Sequence, residues 1–349
     1  MLKNGSLIVD VGGPELTAED REVLEHPAIG GVILFSRNWV DPEQLQALTA
    51  DIHTLKRSAK YPLVISCDHE GGRVQRFRAP FTALPAASQL YQAWCSSQKK
   101  GRALAEQTGW LMSAELRSVG VDFSYAPVLD LDYGVSEVIG DRSFGPEVEP
   151  IVDLAGALFK GLQYGSLPAV GKHFPGHGYV VADSHLELPR DERPLAEMMG
   201  RDIEVFKRCF ALGIHAVMTA HVVYAEVDEL PATFSPIWLR QILRQQLGFA
   251  GCIFSDDLSM KATSHLGDSL TRCEQAASAG CDSILICNDR SSVVSVLDQG
   301  QFEGRGGLLN QWLGKQCAIP DWKALKASAD YQNRRAQLER WMDSLSVSG

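Results

Sequence analysis

Short apolar, β-rich runs recur along the chain at 7–11, 31–35, 63–67, 121–127, 169–173, 216–220, 252–255 and 283–287. Apolar runs of this length are what strands look like when both of their faces are buried. Between them, segments 42–56, 102–118, 151–162, 195–212, 236–247 and 269–279 repeat apolar residues every three to four positions, the period of a helix with one covered face. Eight strands alternating with helices predict an α/β fold, a single (β/α)8 TIM-type barrel ahead of a doubly wound sheet. After the last strand, a glycine-rich stretch at 300–307 leads to a helical segment from Asp321 to about Leu345, read as closing packing. There is no internal repeat, low-complexity tract or interdomain linker, so residues 1–349 are expected to form one domain with its strands within about 7–287.

A barrel assembles its site from the carboxyl ends of its strands and the loops that follow. Those ends are where this sequence turns polar. The third strand leaves into Asp68-His69-Glu70, the fourth into Asp130, the fifth into Lys172-His173, the sixth into His221, the seventh into Asp256-Asp257 and the eighth into Asn288-Asp289. Hydrophobic strands with charged tips describe a concave polar site on a packed scaffold.

The densest constellation is Lys172-His173-Phe174-Pro175-Gly176-His177-Gly178, followed closely by Asp183-Ser184-His185. Histidines four apart bind zinc when a helix carries them on one face, but Pro175, Gly176 and Gly178 forbid that helix, so no metal is expected. Satisfied polar residues at a barrel rim are the bland alternative for His173 and His177. Lys172 at a strand end also permits a Schiff base, as an aldolase would use. In Ser255-Asp256-Asp257-Leu258-Ser259-Met260 an apolar strand delivers two carboxylates to the rim; Asp256 suits attack on a carbon centre, and Asp257 suits a helix cap. Asp68 through Arg76, with its Gly71-Gly72 turn, offers the paired donors and acceptors that polyols need, although an ion pair of Asp68 with Arg73 or Arg76 is as easily drawn. Arg142, in the glycine-flanked run Ile139 to Gly145, carries the same two readings.

Composition narrows the ligand. With 45% hydrophobic and 22% charged residues the chain can bury a large core, and its formal net charge of -10 argues against polyphosphate or anionic membranes as partners. Neither nucleic acid nor membrane is expected, and a small neutral or mildly charged ligand fits better. Eight cysteines are scattered without a C-x-x-C pair, and the amino terminus shows no signal-peptide pattern; both suit a cytoplasmic protein. A monomer is favoured.

Taken together, these motifs resemble glycoside hydrolase family 3, and within it the bacterial β-N-acetylglucosaminidases of cell-wall recycling. The resemblance runs from the first strand to about Cys287. It implies a barrel, no metal or other cofactor, and a retaining mechanism through a covalent glycosyl-enzyme. Motif by motif it implies Asp256 as nucleophile, His185 as acid/base with Asp183 as its partner, and sugar contacts at Asp68, Arg76, Arg142, Lys172 and His173. The substrate it implies is an N-acetylglucosamine-containing muropeptide or disaccharide, in peptidoglycan recycling and hence cell-wall synthesis, cell shape and division. His69 departs from the glutamine expected there, and Tyr179 is bulky for its loop. A retaining glycosidase needs a nucleophile on one face of the anomeric carbon and a proton donor at the leaving oxygen, and a histidine supported by an aspartate can be that donor. The rival readings are a glycoside phosphorylase of the same fold, a Schiff-base aldolase using Lys172, and a sugar-binding barrel without catalysis.

Overall fold

A computed structural model describes residues 1–55, 62–181, 188–305 and 319–346. Eight parallel strands form one sheet: β1 (Leu7–Asp10), β2 (Ile29–Leu34), β3 (Val64–Cys67), β4 (Phe123–Ser124), β5 (Val170–Phe174), β6 (Ala216–Thr219), β7 (Cys252–Asp257) and β8 (Ser283–Ile286). Their spatial order is β4-β3-β2-β1-β8-β7-β6-β5, so every strand lies beside its neighbours in sequence. The two outermost strands also meet, because Val170 N donates to Ala126 O (2.9 Å), Lys172 N to Pro127 O (3.2 Å) and Leu129 N to Lys172 O (2.7 Å). The result is a nearly closed eight-stranded parallel barrel, which leaves few backbone groups at an open edge.

Ile8, Val9, Val32, Ile65, Ile253 and Ile284 are fully or almost fully buried, which is why these strands read as unbroken apolar runs. Helices cover the outside. They are α1 (Ala18–Glu25), α2 (Pro42–Thr54), α3 (Gln98–Ser118), α4 (Val148–Leu162), α5 (Asp202–Ala211), α6 (Ser269–Ala279) and α7 (Arg290–Gln299), with a π-helical stretch Ile237–Gln246 between β6 and β7. Several starts are written in the sequence. Thr17 and Asp20 form a capping box at α1, and Asp41 caps α2 just before Pro42. Beyond α7, Trp322–Ala327 and α8 (Ala329–Ser346) pack back on the barrel. Among the described residues, no helix is long and apolar enough to cross a membrane.

The expected helix at 195–212 is two, Leu195–Gly200 and α5, broken at Arg201 (φ -129°, ψ -85°). Arg201 there donates to Pro146 O (3.1 Å) and lies 4.8 Å over the Tyr133 ring, contacts that local periodicity cannot announce. α1, Ala87–Ser96 and α7 were not anticipated. Each buries only two apolar side chains, Val23 with Leu24, Leu90 with Ala93, and Val293 with Val296, too thin a stripe to register as a period.

Candidate active site

A cavity of about 550 Å³ opens where the strands end, and Asp68, Arg76, Arg142, Lys172, His173 and Asp256 all line it. They come from four different strand ends or the loops behind them, so one packed scaffold gathers residues 188 positions apart (256 − 68 = 188).

Charge is ordered on one side of this cavity. Lys172 Nζ sits 2.9 Å from Asp68 Oδ1 and 2.6 Å from Glu70 Oε1, with Lys172 itself buried. Arg76 Nη2 donates to the other oxygen of Asp68 (3.0 Å). Arg142 grips Glu70 through Nε and Nη2 (2.9 and 2.8 Å), the two-pronged geometry of a guanidinium on a carboxylate. Burial disfavours the Asp68 carboxylate, yet Lys172 and Arg76 outweigh it and hold its pKa below the ordinary range. Burial likewise favours a neutral Lys172, and Asp68 and Glu70 outweigh that, raising it above an ordinary lysine. An ammonium so held has no lone pair to offer a carbonyl, so the aldolase reading lacks its nucleophile. Of the ion pairs drawn from the sequence, Asp68–Arg76 forms, while Arg73 pairs instead with Asp141 (2.7 Å).

Asp130, at the end of the chain stretch that follows β4, organises the next sector. It lies 2.7 Å from His173 Nδ1 and accepts the His177 N–H (2.8 Å). This carboxylate orients the His173 ring and gathers the loop behind β5. Burial, with His173 nearby, pushes the His177 imidazole down to about 4, so it is neutral at pH 7. Gly178 is required by space, since a Cβ there would stand 1.8 Å from Leu131 O.

Asp256 and Asp257 are the last residues of β7. Asp256 Oδ1 accepts the Asp257 N–H (2.8 Å), a donor that stabilises a carboxylate. Asp257 does not cap a helix; the next helical turn, Lys261–Leu266, begins after Met260. Its carboxyl instead meets Ser259 and Cys287.

Residues 3–305 match the glycosyl hydrolase family 3 N terminal domain. The chain belongs to that family. It is 51% identical over 284 residues to a beta-hexosaminidase of Methylobacillus flagellatus, covering 81% of this chain and 80% of that one. A beta-hexosaminidase of Thiobacillus denitrificans is 47% identical over 330 residues, 94% of this chain and 91% of the relative. Among solved structures, NagZ of Neisseria gonorrhoeae in complex with N-trifluoroacetyl-D-glucosamine superposes with a TM-score of 0.89 at 42% identity, covering 97% of this chain and 98% of that one.

Asp183 and His185, the acid/base pair that the family resemblance implies, lie outside the described residues. The two departures from the family pattern are accommodated locally. Tyr179 lies over the Arg193 guanidinium (4.1 Å) and edge-on to Tyr133 (5.3 Å), and Arg193 is itself paired with Asp191 and Asp202. His69 is buried against Phe77 and Phe81, and burial, with Arg76 and Arg78, pushes its imidazole down to about 3. Glu70, Asp130 and His177 were not singled out for roles from the sequence. For Glu70 the signal was alternation: residues two apart on an extended tip face the same side, so a site that uses Asp68 should also receive Glu70.

Proposed function

We propose that the protein is a retaining exo-β-N-acetylhexosaminidase that removes β-linked N-acetylglucosamine from cell-wall muropeptide fragments. The observation that carries this reading is the convergence of Asp256 with the charged pairs of Asp68, Arg76, Arg142 and Lys172 around one cavity, in a chain 42% identical to a protein solved with N-trifluoroacetyl-D-glucosamine. In this reading the nearly closed sheet is a TIM-type (β/α)8 barrel, and residues 1–349 act as one catalytic domain. The protein works as a cytoplasmic monomer in peptidoglycan recycling and so bears on wall synthesis, cell shape and division.

An oxygen of Asp256 forms a bond to the anomeric carbon as the glycosidic C–O bond breaks, giving a glycosyl ester. His185, as the imidazolium, gives its proton to the departing oxygen and becomes neutral. Water then adds from the vacated face and yields a proton to His185, and Asp256 leaves as a carboxylate. Two inversions retain the configuration. Asp183 orients the His185 ring and supports its cationic form. Asp68, Arg76, Arg142, Lys172 and His173 hold the sugar's hydroxyl and amide groups, and the chemistry calls for neither metal nor organic cofactor.

The test is hydrolysis of p-nitrophenyl β-N-acetylglucosaminide by the wild type, Asp256→Ala and His185→Ala. Asp256→Ala is expected to lose activity about a millionfold, the scale at which removal of a nucleophile acts. His185→Ala should lose far more on natural disaccharides than on activated aryl glycosides. Free sugar rather than sugar 1-phosphate should accumulate in phosphate buffer. Equal rates in the three proteins would overturn the reading.

A further inference from the structure

Asp257 stands one residue from the proposed nucleophile, and its contacts do not fit a carboxylate. Its Oδ1 accepts two N–H groups, from Ser259 (3.0 Å) and Cys287 (3.0 Å). Its Oδ2 lies 2.7 Å from Ser259 Oγ, and that same Oγ lies 2.7 Å from Cys287 O. A carbonyl oxygen only accepts, and a serine hydroxyl carries one proton. If Asp257 were ionised, one of these two short oxygen–oxygen contacts, half-buried at the wall of the cavity, would have no hydrogen in it and would set two oxygen lone pairs against each other. One further proton satisfies both: Oδ2–H donates to Ser259 Oγ, and Ser259 O–H donates to Cys287 O.

We infer that in mildly acidic solution Asp257 is a neutral carboxylic acid, a positioning residue that ties the end of β7 to the end of β8 and leaves the negative charge of this pair on Asp256. The residue is fixed on its other sides as well. Its N–H points to Asp256 Oδ1 (2.8 Å), and its carbonyl oxygen lies 3.0 Å from His221 Nε2. His221 is buried at the end of β6, its Nδ1 2.9 Å from Thr233 Oγ1, and its Nε2 is placed to donate to Asp257 O.

The groups around Asp257 favour the neutral form. On its own strand Asp256 repels a second charge. From β6 comes His221, already committed to the backbone carbonyl. From the end of β8 comes Cys287, whose thiol burial pushes up and keeps neutral. Beyond it on β1, Asp10 accepts Asn288 N (3.2 Å) and is paired with Arg37, so that guanidinium is not free to compensate Asp257. Burial, opposed by the Ser259 and Cys287 donors and reinforced by Asp256, pushes the Asp257 carboxyl up to about 6. Ser259 can lower it only by giving the carboxyl its single proton, which Cys287 O also claims.

The protonation stands apart from the enzyme's activity; its consequence for turnover rests on Asp256 as nucleophile. Infrared spectra of protein carrying ¹³C-carboxyl aspartate, recorded from pH 5 to 8, read the protonation directly. At pH 5 a carbonyl band of a neutral acid is expected, missing in Asp257→Asn and displaced in Ser259→Ala, where the acid O–H has lost its acceptor. Absence of an Asp257-dependent acid band at pH 5 in the folded wild type overturns the inference whatever the enzyme hydrolyses.

Turnover supplies the second arm. Asn reproduces the neutral pattern, with Nδ2 donating to Ser259 Oγ and Oδ1 accepting both N–H groups, whereas Leu removes it at similar size. At pH 5 Asp257→Leu should therefore lower kcat on an activated aryl glycoside, and Asp257→Asn should recover it by about tenfold, the scale of a buried hydrogen bond. Asn no better than Leu would mean that the charge is needed, and would sink the inference.

Discussion

Lys172 shows what a single buried charge does in this site. It sits between Asp68 and Glu70 at hydrogen-bond distance from both, with about 3% of its side chain exposed. Lys172→Met keeps the length of the side chain and removes the charge, leaving two carboxylates that share only Arg76 and Arg142. Breaking a buried pair in this way costs roughly 3–5 kcal/mol, and the remaining arginines place this case at the lower end. The sign with pH follows from Asp68, whose folded-state pKa is depressed by its cations. Its stabilisation is present above the unfolded pKa and disappears as pH falls through the lower folded value. Lys172→Met weakens that depression, so the melting temperatures of wild type and variant should lie equally far apart from pH 7 down to about pH 4 and converge only below it, where the unfolded carboxylate takes up its proton; a gap that does not narrow between pH 4 and pH 2.5 would contradict this account. The residue types of this cluster were legible in the sequence because strand tips are where a barrel places polar groups. The pairings were not legible. Arg73 and Arg76 are equivalent along the chain, and only the path of the loop behind β4 gives Asp141 to one and leaves Asp68 to the other.

Between elements, the same chemistry joins α3 to the C-terminal segment. Glu115 on α3 is fully buried, and one of its oxygens accepts Thr82 N (2.9 Å), Thr82 Oγ (2.6 Å) and Tyr331 O–H (2.7 Å), the last from α8. Burial outweighs those donors and pushes its carboxyl up to about 7. A folded-state pKa raised above the unfolded one means that the native state holds the proton longer. Its stabilisation is complete below about 4.5 and is lost as pH rises through 7, amounting to about 3 kcal/mol at most. Glu115→Gln abolishes this titration. The difference in unfolding free energy between wild type and Glu115→Gln, measured by denaturant titration, should therefore shift against the wild type from pH 5 to pH 8; a constant difference would show that Glu115 stays ionised throughout. No window of sequence contains Glu115 together with Thr82 and Tyr331, so this junction was invisible beforehand. The strands were visible: 252–255 was expected and Cys252–Asp257 is observed, the two extra residues being the carboxylates that an apolar run cannot predict as ladder. The π-helical winding of Ile237–Gln246 was not visible, because its apolar spacing does not differ enough from that of an ordinary helix.

At the scale of the whole molecule, the segment after the barrel is connected to the site by aromatic packing. Trp322 lies 5.0 Å from Phe81 and 6.1 Å from Tyr331, Phe81 lies 6.4 Å from Phe77, and Phe77 lies 5.8 Å from His69, the residue between Asp68 and Glu70. Leu325, Leu338 and Trp341 bury the same segment, and Arg335 Nη1 reaches Pro80 O (2.7 Å). The helical segment therefore does more than close the barrel: it backs the turn from which Asp68, Glu70 and Arg76 project. Trp322→Ala opens a cavity behind Phe81, for which the usual cost is about 3–5 kcal/mol. The indole N–H has no partner among the described residues, so replacing Trp322 also removes a buried unsatisfied donor, and the loss should fall near about 3 kcal/mol. If the aromatic chain supports the site, the variant's KM for an aryl N-acetylglucosaminide should rise at temperatures well below its melting point, because Asp68 and Arg76 sit on the loosened turn. A remote void that cost stability alone would leave KM where it was, and steady-state kinetics at 10 °C beside a denaturant titration separates the two.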